Sequence, residues 1–71
     1  MNPQTLGEHI KRRRIDLGWT QKKVAEILHV TDDTITYWEV GRSKPRASYY
    51  CRIIQFLGYL PTEMSELTVN Q

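Results

Sequence analysis

A chain of 71 residues is long enough for one small domain and too short for two cores of ordinary size, which excludes a two-domain enzyme. The composition is that of a globular protein, with 39% hydrophobic and 25% charged residues, and the net charge of +2 is only a weak bias towards polyanions. Because no signal peptide opens the chain and no apolar run reaches membrane-spanning length, we expect a soluble, cytoplasmic protein.

The first two predicted helices follow each other closely. Thr5-Leu-Gly-Glu8 has the form of a capping box, and Gly18 can end a helix in a left-handed conformation, so a helix is predicted over residues 6–17. Thr20 is a good N-cap for a short second helix over residues 21–28. Apolar residues recur at helical spacing in both helices and are predicted to face the core: Leu6, Ile10, Leu17, Val24, Ile27 and Leu28.

A third helix is predicted over residues 32–40. Thr31 is its N-cap, and Asp32 and Asp33 lie in its first turn, where negative charge offsets the positive end of the helix dipole. Gly41 then ends it, and the connection that follows is basic.

The fourth helix is predicted from about residue 47 to 57, where apolar residues recur every three or four positions before Gly58: Tyr50, Ile53, Ile54 and Leu57. Pro45 disfavours helix at Lys44, in the connection before it. The tail over residues 61–71 is expected to form at most one helical turn near 62–66. No alternating strand pattern occurs. The sequence therefore predicts an all-α domain over residues 1–60, a compact bundle of four to five short helices.

The second helix, a three-residue connection and the third helix form a unit of twenty residues, 21–40. Two short helices so close in sequence must cross steeply, which requires a small residue where the backbones meet, and Ala25 meets that requirement. Apolar residues suited to hold the crossing angle are Val24, Leu28, Val30, Ile35 and Trp38. This unit resembles the DNA-binding helix-turn-helix of the phage repressor and Cro-like (XRE-type) regulator family.

The resemblance covers about residues 5–58. It includes Leu-Gly-Glu at the start of the first helix, Arg-Arg-x-x-x-Leu-Gly-x-Thr-Gln ending at Gln21, and Thr-Ile-Thr-x-Trp-Glu-x-Gly-Arg-x-x-Pro ending at Pro45. It implies a lambda-repressor-like fold and a small transcriptional regulator that binds double-stranded DNA, as a possible homodimer on a palindromic operator. No cofactor and no small-molecule ligand are implied.

The faces of the third helix follow from a rotation of about 100° per residue, which turns Ile35 and Trp38 inward and Asp33, Thr36 and Tyr37 outward. In the family this helix enters the major groove, which implies six candidate base-contacting residues: Thr31, Asp32, Asp33, Thr34, Thr36 and Tyr37. The resemblance also implies phosphate contacts at Thr20 and Gln21 and at Arg42 and Lys44 of the basic connection, and a structural ion pair between Arg14 and Glu39.

Several residues depart from the family pattern, and their roles stay open at this stage. Asp32 and Asp33 could cap the helix or accept a hydrogen bond from the exocyclic amine of cytosine. The Tyr37 ring could touch a thymine methyl, its hydroxyl could reach a phosphate, or it could lie on the surface. His29 replaces a glycine of the turn and is expected to adopt a left-handed conformation. Cys51 is most simply a packing residue.

The four consecutive cations at residues 11–14 would fan around their helix, so at most two could face one polyanion. All ten cations and six of the eight acidic residues precede residue 61, so the predicted domain carries +4 and the tail −2. An alternative function is an antitoxin-like or adaptor module that binds a protein with the same face. An enzyme has almost no support, because the sequence offers no acid–base pair, metal cluster or activated nucleophile.

Overall fold

The computed structural model describes residues 5–61. Its elements are α1 (Leu6–Leu17), α2 (Gln21–Leu28), α3 (Asp32–Val40), a 3-10 turn (Ala47–Tyr49) and α4 (Tyr50–Leu57). No strand occurs in this range, and the predicted all-α class is confirmed. No helix among these residues is long and apolar enough to span a bilayer. The predicted tail turn near 62–66 lies outside the described residues.

The first three helices begin at threonines whose side chains accept a hydrogen bond from a free backbone N–H three residues on: Thr5, Thr20 and Thr31. At α1 the capping box is complete, because the Glu8 carboxylate also accepts from the Thr5 N–H. These caps supply partners for backbone donors that a helix start leaves unpaired, and they place the three helices at the predicted residues.

The turn between α2 and α3 contains a left-handed residue that is not glycine. His29 has φ 61° and ψ 44°, and its N–H donates to the carbonyls of Ala25 and Glu26. The predicted conformation is confirmed. It carries strain, since an L side chain in this region costs about 1–2 kcal/mol.

Replacing His29 with glycine is therefore expected to stabilise the protein by about 0.5–1 kcal/mol, because the relief of strain exceeds the added freedom of the unfolded chain. Urea unfolding of His29→Gly and His29→Ala would measure this. Alanine retains the strain and is expected to give no gain. If both variants gained the same stability, the effect would come from the loss of the imidazole and not from the relief of backbone strain.

The core is formed where α1 and α2 pack against α3 and α4 closes the far side. Its buried members come from all four helices: Leu6, Ile10, Val24, Ala25, Leu28, Ile35, Trp38, Ile53, Phe56 and Leu57. Val30, in the turn, packs against the edge of this cluster. The residues predicted to hold the α2–α3 crossing therefore do pack together.

A very close backbone approach joins α1 and α3. A methyl group built on Gly7 would overlap the carbonyl oxygen of Trp38, so at this crossing nothing larger than a hydrogen fits. The sequence predicted a small residue at the α2–α3 crossing, where Ala25 is indeed buried, but it did not predict this second close approach.

Three packing predictions were wrong. Leu17 and Ile27 are exposed, because the single buried face of each short helix is already filled by Ile10 or by Val24 and Leu28. Cys51 is also exposed. It precedes the buried Ile53 by two residues, which turns it about 200° away from the core on α4.

Candidate nucleic-acid interface

Helix α3 has one face packed against the core and another face exposed to solvent. Ile35 and Trp38 are buried, whereas Asp33 is exposed, Tyr37 is 45% exposed and Val40 is 62% exposed. The structure therefore gives α3 a core face and a solvent face in the arrangement expected from helical spacing. Val40 extends the exposed face but was not among the candidate base-contacting residues.

The N-terminal turn of α3 is organised by hydroxyl groups. The Thr31 side chain accepts from the Thr34 N–H at 3.2 Å, and the two hydroxyl oxygens are 2.9 Å apart. Thr31 thus performs the capping. The carboxylates of Asp32 and Asp33 are exposed and make no hydrogen bond or ion pair within residues 5–61, so their effect on the helix is limited to their charge.

Gln21 joins the start of α2 to the middle of α3. Its Nε2 donates to Glu39 Oε1 at 3.0 Å, and its Oε1 accepts from the Thr36 hydroxyl at 2.9 Å. Thr36 was predicted to face outward with Asp33 and Tyr37, but it is half-buried and its hydroxyl is hydrogen-bonded inside the domain. Sequence reasoning missed this bridge because the two residues are fifteen positions apart.

A buried ion pair holds α3 against α1. Arg14 Nε lies 2.8 Å from Glu39 Oε2 and its second terminal nitrogen 3.0 Å from Oε1, with the side chains 17% and 1% exposed. Arg14 also donates to the Trp19 carbonyl. Helical spacing places both Arg13 and Arg14 at the edge of the apolar stripe of α1 and does not choose between them, whereas the family resemblance implied Arg14. The structure pairs Arg14, and Arg13 donates to the Phe56 carbonyl at 3.1 Å.

The basic connection folds back onto the end of α3. The backbone N–H groups of Arg42 and Ser43 donate to the Tyr37 carbonyl, and the Arg42 guanidinium lies 5.7 Å from the centre of the Tyr37 ring. Arg42 and Lys44 are exposed, and Pro45 is buried beside them. The structure thereby places a predicted phosphate-contacting cation, Arg42, next to a predicted base-contacting residue, Tyr37.

The remaining candidates flank this surface. Thr20 is exposed and its hydroxyl accepts from the Lys23 N–H at 3.0 Å. Lys22 and Arg46 are further exposed cations, next to Gln21 and Pro45, that the sequence analysis did not select. Their signal in the sequence is position, because Lys22 follows Gln21 and Arg46 ends the basic connection that contains Arg42 and Lys44. Within residues 5–61, no group of acidic, histidine and cysteine side chains is suited to hold a metal ion.

The family model for the helix-turn-helix matches residues 10–64, which is more than half of the chain. The chain belongs to the helix-turn-helix family. Among its relatives, the HTH-type transcriptional regulator DicA of Escherichia coli (strain K12) is 33% identical over 58 residues. This match covers 82% of the chain and 43% of DicA, so the chain spans less than half the length of that relative.

Two solved structures share the architecture of this helix-turn-helix chain. The P22 c2 repressor in complex with a synthetic operator superposes with a TM-score of 0.75 at 24% identity, covering 87% of this chain and 94% of that one. The solution structure of the P22 c2 repressor DNA-binding domain gives 0.73 at 26% identity, with coverages of 90% and 84%. The predicted repressor-like fold is confirmed.

Proposed function

We propose that this protein binds double-stranded DNA in a sequence-specific manner through α2 and α3 and acts as a small transcriptional regulator. The observation that carries the proposal is the exposed outer side of α3, which continues into the start of α2 through the Gln21–Thr36 hydrogen bond and into the basic connection through Arg42 and Tyr37. Membership of the helix-turn-helix family supports it, as does the fold shared with a repressor solved on its operator. A regulator is favoured over an enzyme on the same grounds.

Phosphate contacts on two sides would fix the register of α3 in the groove. At one side, a phosphate could accept hydrogen bonds from the first N–H groups of α2, next to Thr20. It could also accept one from Gln21 Nε2, because only one of the two amide protons donates to Glu39. At the other side, Arg42 and Lys44 supply exposed positive charge. Between them, Asp33 and Tyr37 project from α3 as the leading candidates for base contacts.

We further propose a homodimer on a palindromic operator, because one unit of this size contacts few base pairs and gains affinity when two half-sites are bound together. Ile15, α4 and the tail after Gly58 are candidate dimer surfaces, and Ile15 is exposed. The proposed place of action is the cytoplasm, for a protein encoded by a bacterium or a phage, with association to the nucleoid when the protein is bound to DNA.

Removing one cation of the basic connection is expected to weaken binding by a similar factor for all DNA sequences. Arg42→Ala and Lys44→Ala should each lower the slope of log affinity against log salt by about one, because each releases one fewer counterion. Fluorescence anisotropy over a salt series would measure the slope. Arg52→Ala removes an exposed cation on α4, outside the proposed DNA-contacting surface, and is the control. Measured on a single half-site, where dimer formation does not contribute, it should leave the slope unchanged. A change in base preference without a change in slope would contradict the assignment.

Neutralising Asp33 is expected to raise nonspecific affinity and to alter base preference at one position of the half-site. The carboxylate repels phosphates and can accept a hydrogen bond from a cytosine amine, whereas an asparagine amide also donates. Asp32→Asn is the matched control, since it removes the same charge from the adjacent exposed position. If both variants gain affinity equally and select the same motif as the wild type, Asp33 acts only through its charge.

Selection of bound duplexes from a random pool tests the proposal as a whole. A defined motif with two-fold symmetry is expected. An antitoxin-like or adaptor module would instead show no enrichment and no affinity for mixed duplex at low ionic strength, and that result would reject DNA binding.

A further inference from the structure

A chain of hydrogen bonds leads from the buried ion pair to the outer side of α3, and at each step the donor can be told from the acceptor. The first member is Glu39, whose carboxylate is 1% exposed and held by two nitrogens of Arg14. A carboxylate paired with a guanidinium in this way can only accept hydrogen bonds.

The orientation of the Gln21 amide follows from this. Its end group lies 3.0 Å from Glu39 Oε1, and only the nitrogen of the amide can donate to that oxygen. The flipped orientation would place two acceptors against each other at the buried carboxylate. The Gln21 carbonyl oxygen is thereby directed away from Glu39 and towards Thr36.

The Thr36 hydroxyl must in turn act as a donor inside the domain. Its oxygen lies 2.9 Å from Gln21 Oε1 and 3.1 Å from the Asp32 carbonyl oxygen, and both of these atoms accept without donating. A hydroxyl has one proton, so that proton is used inside the domain. To a partner outside the domain, Thr36 can therefore offer its oxygen lone pairs and its methyl group but not its proton.

We propose that Thr36 is a specificity-determining residue that rejects guanine, and that Gln21 is the positioning residue that imposes this choice. The inference rests on the proposed DNA binding. In the major groove adenine and cytosine present an amine and thymine a methyl group, all of which Thr36 can contact, whereas guanine presents only the acceptors N7 and O6. To contact guanine, Thr36 would have to turn its proton outward and leave the Gln21 oxygen without a donor.

The test compares motifs selected from a random duplex pool by the wild type and three variants. Thr36→Val keeps the shape and the methyl group of the side chain but removes the hydroxyl, whereas Thr36→Ser keeps the hydroxyl and removes the methyl group. Gln21→Met removes the carbonyl oxygen that accepts the Thr36 proton. The base pair that Thr36 contacts is identified as the position of the half-site whose base frequencies change in both Thr36 variants. Thermal unfolding of each variant verifies that folded protein is compared.

At that position the wild type is expected to disfavour guanine about five- to tenfold against the preferred base. Gln21→Met should raise the frequency of guanine at this position several-fold, because only the Asp32 carbonyl then competes with guanine for the Thr36 proton. In the Thr36→Val background the same Gln21→Met change should leave the position unaltered. A uniform loss of affinity in Gln21→Met reports the phosphate contact and is separable from base preference.

Four results would overturn the inference while leaving DNA binding intact: guanine accepted as readily as adenine or cytosine, no position that responds to Thr36, no recovery of guanine in Gln21→Met, or a Gln21 effect that persists in the Thr36→Val background. A wild-type protein that enriches no motif would reject both the inference and the proposed function.

Discussion

Alanine at position 7 is expected to destabilise the protein by about 3 kcal/mol or more, a large part of the roughly 4–10 kcal/mol typical of a domain this size. In an ordinary helix the change from glycine to alanine is favourable by about 0.5–1 kcal/mol. Here the added methyl overlaps the Trp38 carbonyl oxygen, and neither backbone can move aside without opening the α1–α3 contact. Steric overlap therefore outweighs helix propensity.

Urea unfolding of Gly7→Ala followed by circular dichroism would measure this effect. Gly58→Ala is the matched control, since a methyl there meets no atom within 4 Å and only the left-handed conformation, with φ 81°, opposes it. That strain corresponds to about 1–2 kcal/mol. If the two variants lose equal stability, the close approach of α1 and α3 is not the tight contact described above.

Breaking the Arg14–Glu39 pair from one side is the second change with a large expected effect. Arg14→Met leaves the Glu39 carboxylate buried without its counter-charge, which costs about 3–5 kcal/mol. The neighbouring Arg13→Met removes a single hydrogen bond to the Phe56 carbonyl and is expected to cost only about 1 kcal/mol.

A double-mutant cycle separates the pair from its surroundings. Replacing both partners, with Arg14→Met and Glu39→Leu, removes the unpaired charge and is expected to recover much of the stability lost in Arg14→Met. Chemical unfolding of the four proteins gives the coupling free energy. Losses that simply add would mean that the two side chains stabilise the fold independently.

The helices were predictable because their limits are encoded locally. The hydroxyls of Thr5, Thr20 and Thr31 and the glycines at the helix ends act within four residues of their own position, so the first three helices lie where the sequence predicts them. Even the left-handed His29 followed from local reasoning. The start of α4 was less clear, because no side-chain cap marks it and the backbone enters through a 3-10 turn.

The features that the sequence did not predict depend on contacts between helices. Gly7 looks like an ordinary helix residue until α3 is placed against it. Gln21 is predicted from the sequence only as a phosphate ligand, and its amide also bridges Glu39 and Thr36. The helical wheel likewise could not choose between Arg13 and Arg14. Leu17 and Ile27 were assigned to the core because spacing alone does not tell how much of an apolar stripe a small bundle can cover.

Because of the hydrogen bonds made by Gln21, substitutions at different positions of α3 differ in how much stability they remove from the domain. Asp33 and Tyr37 make no side-chain hydrogen bond within residues 5–61, so new side chains there could retarget the protein to another operator with little loss of stability. Thr36 is linked through Gln21 to the Arg14–Glu39 pair, so a new specificity at that position also disturbs the scaffold. Divergence among close homologues should accordingly concentrate at positions 33 and 37, with changes at 36 accompanied by changes at 21.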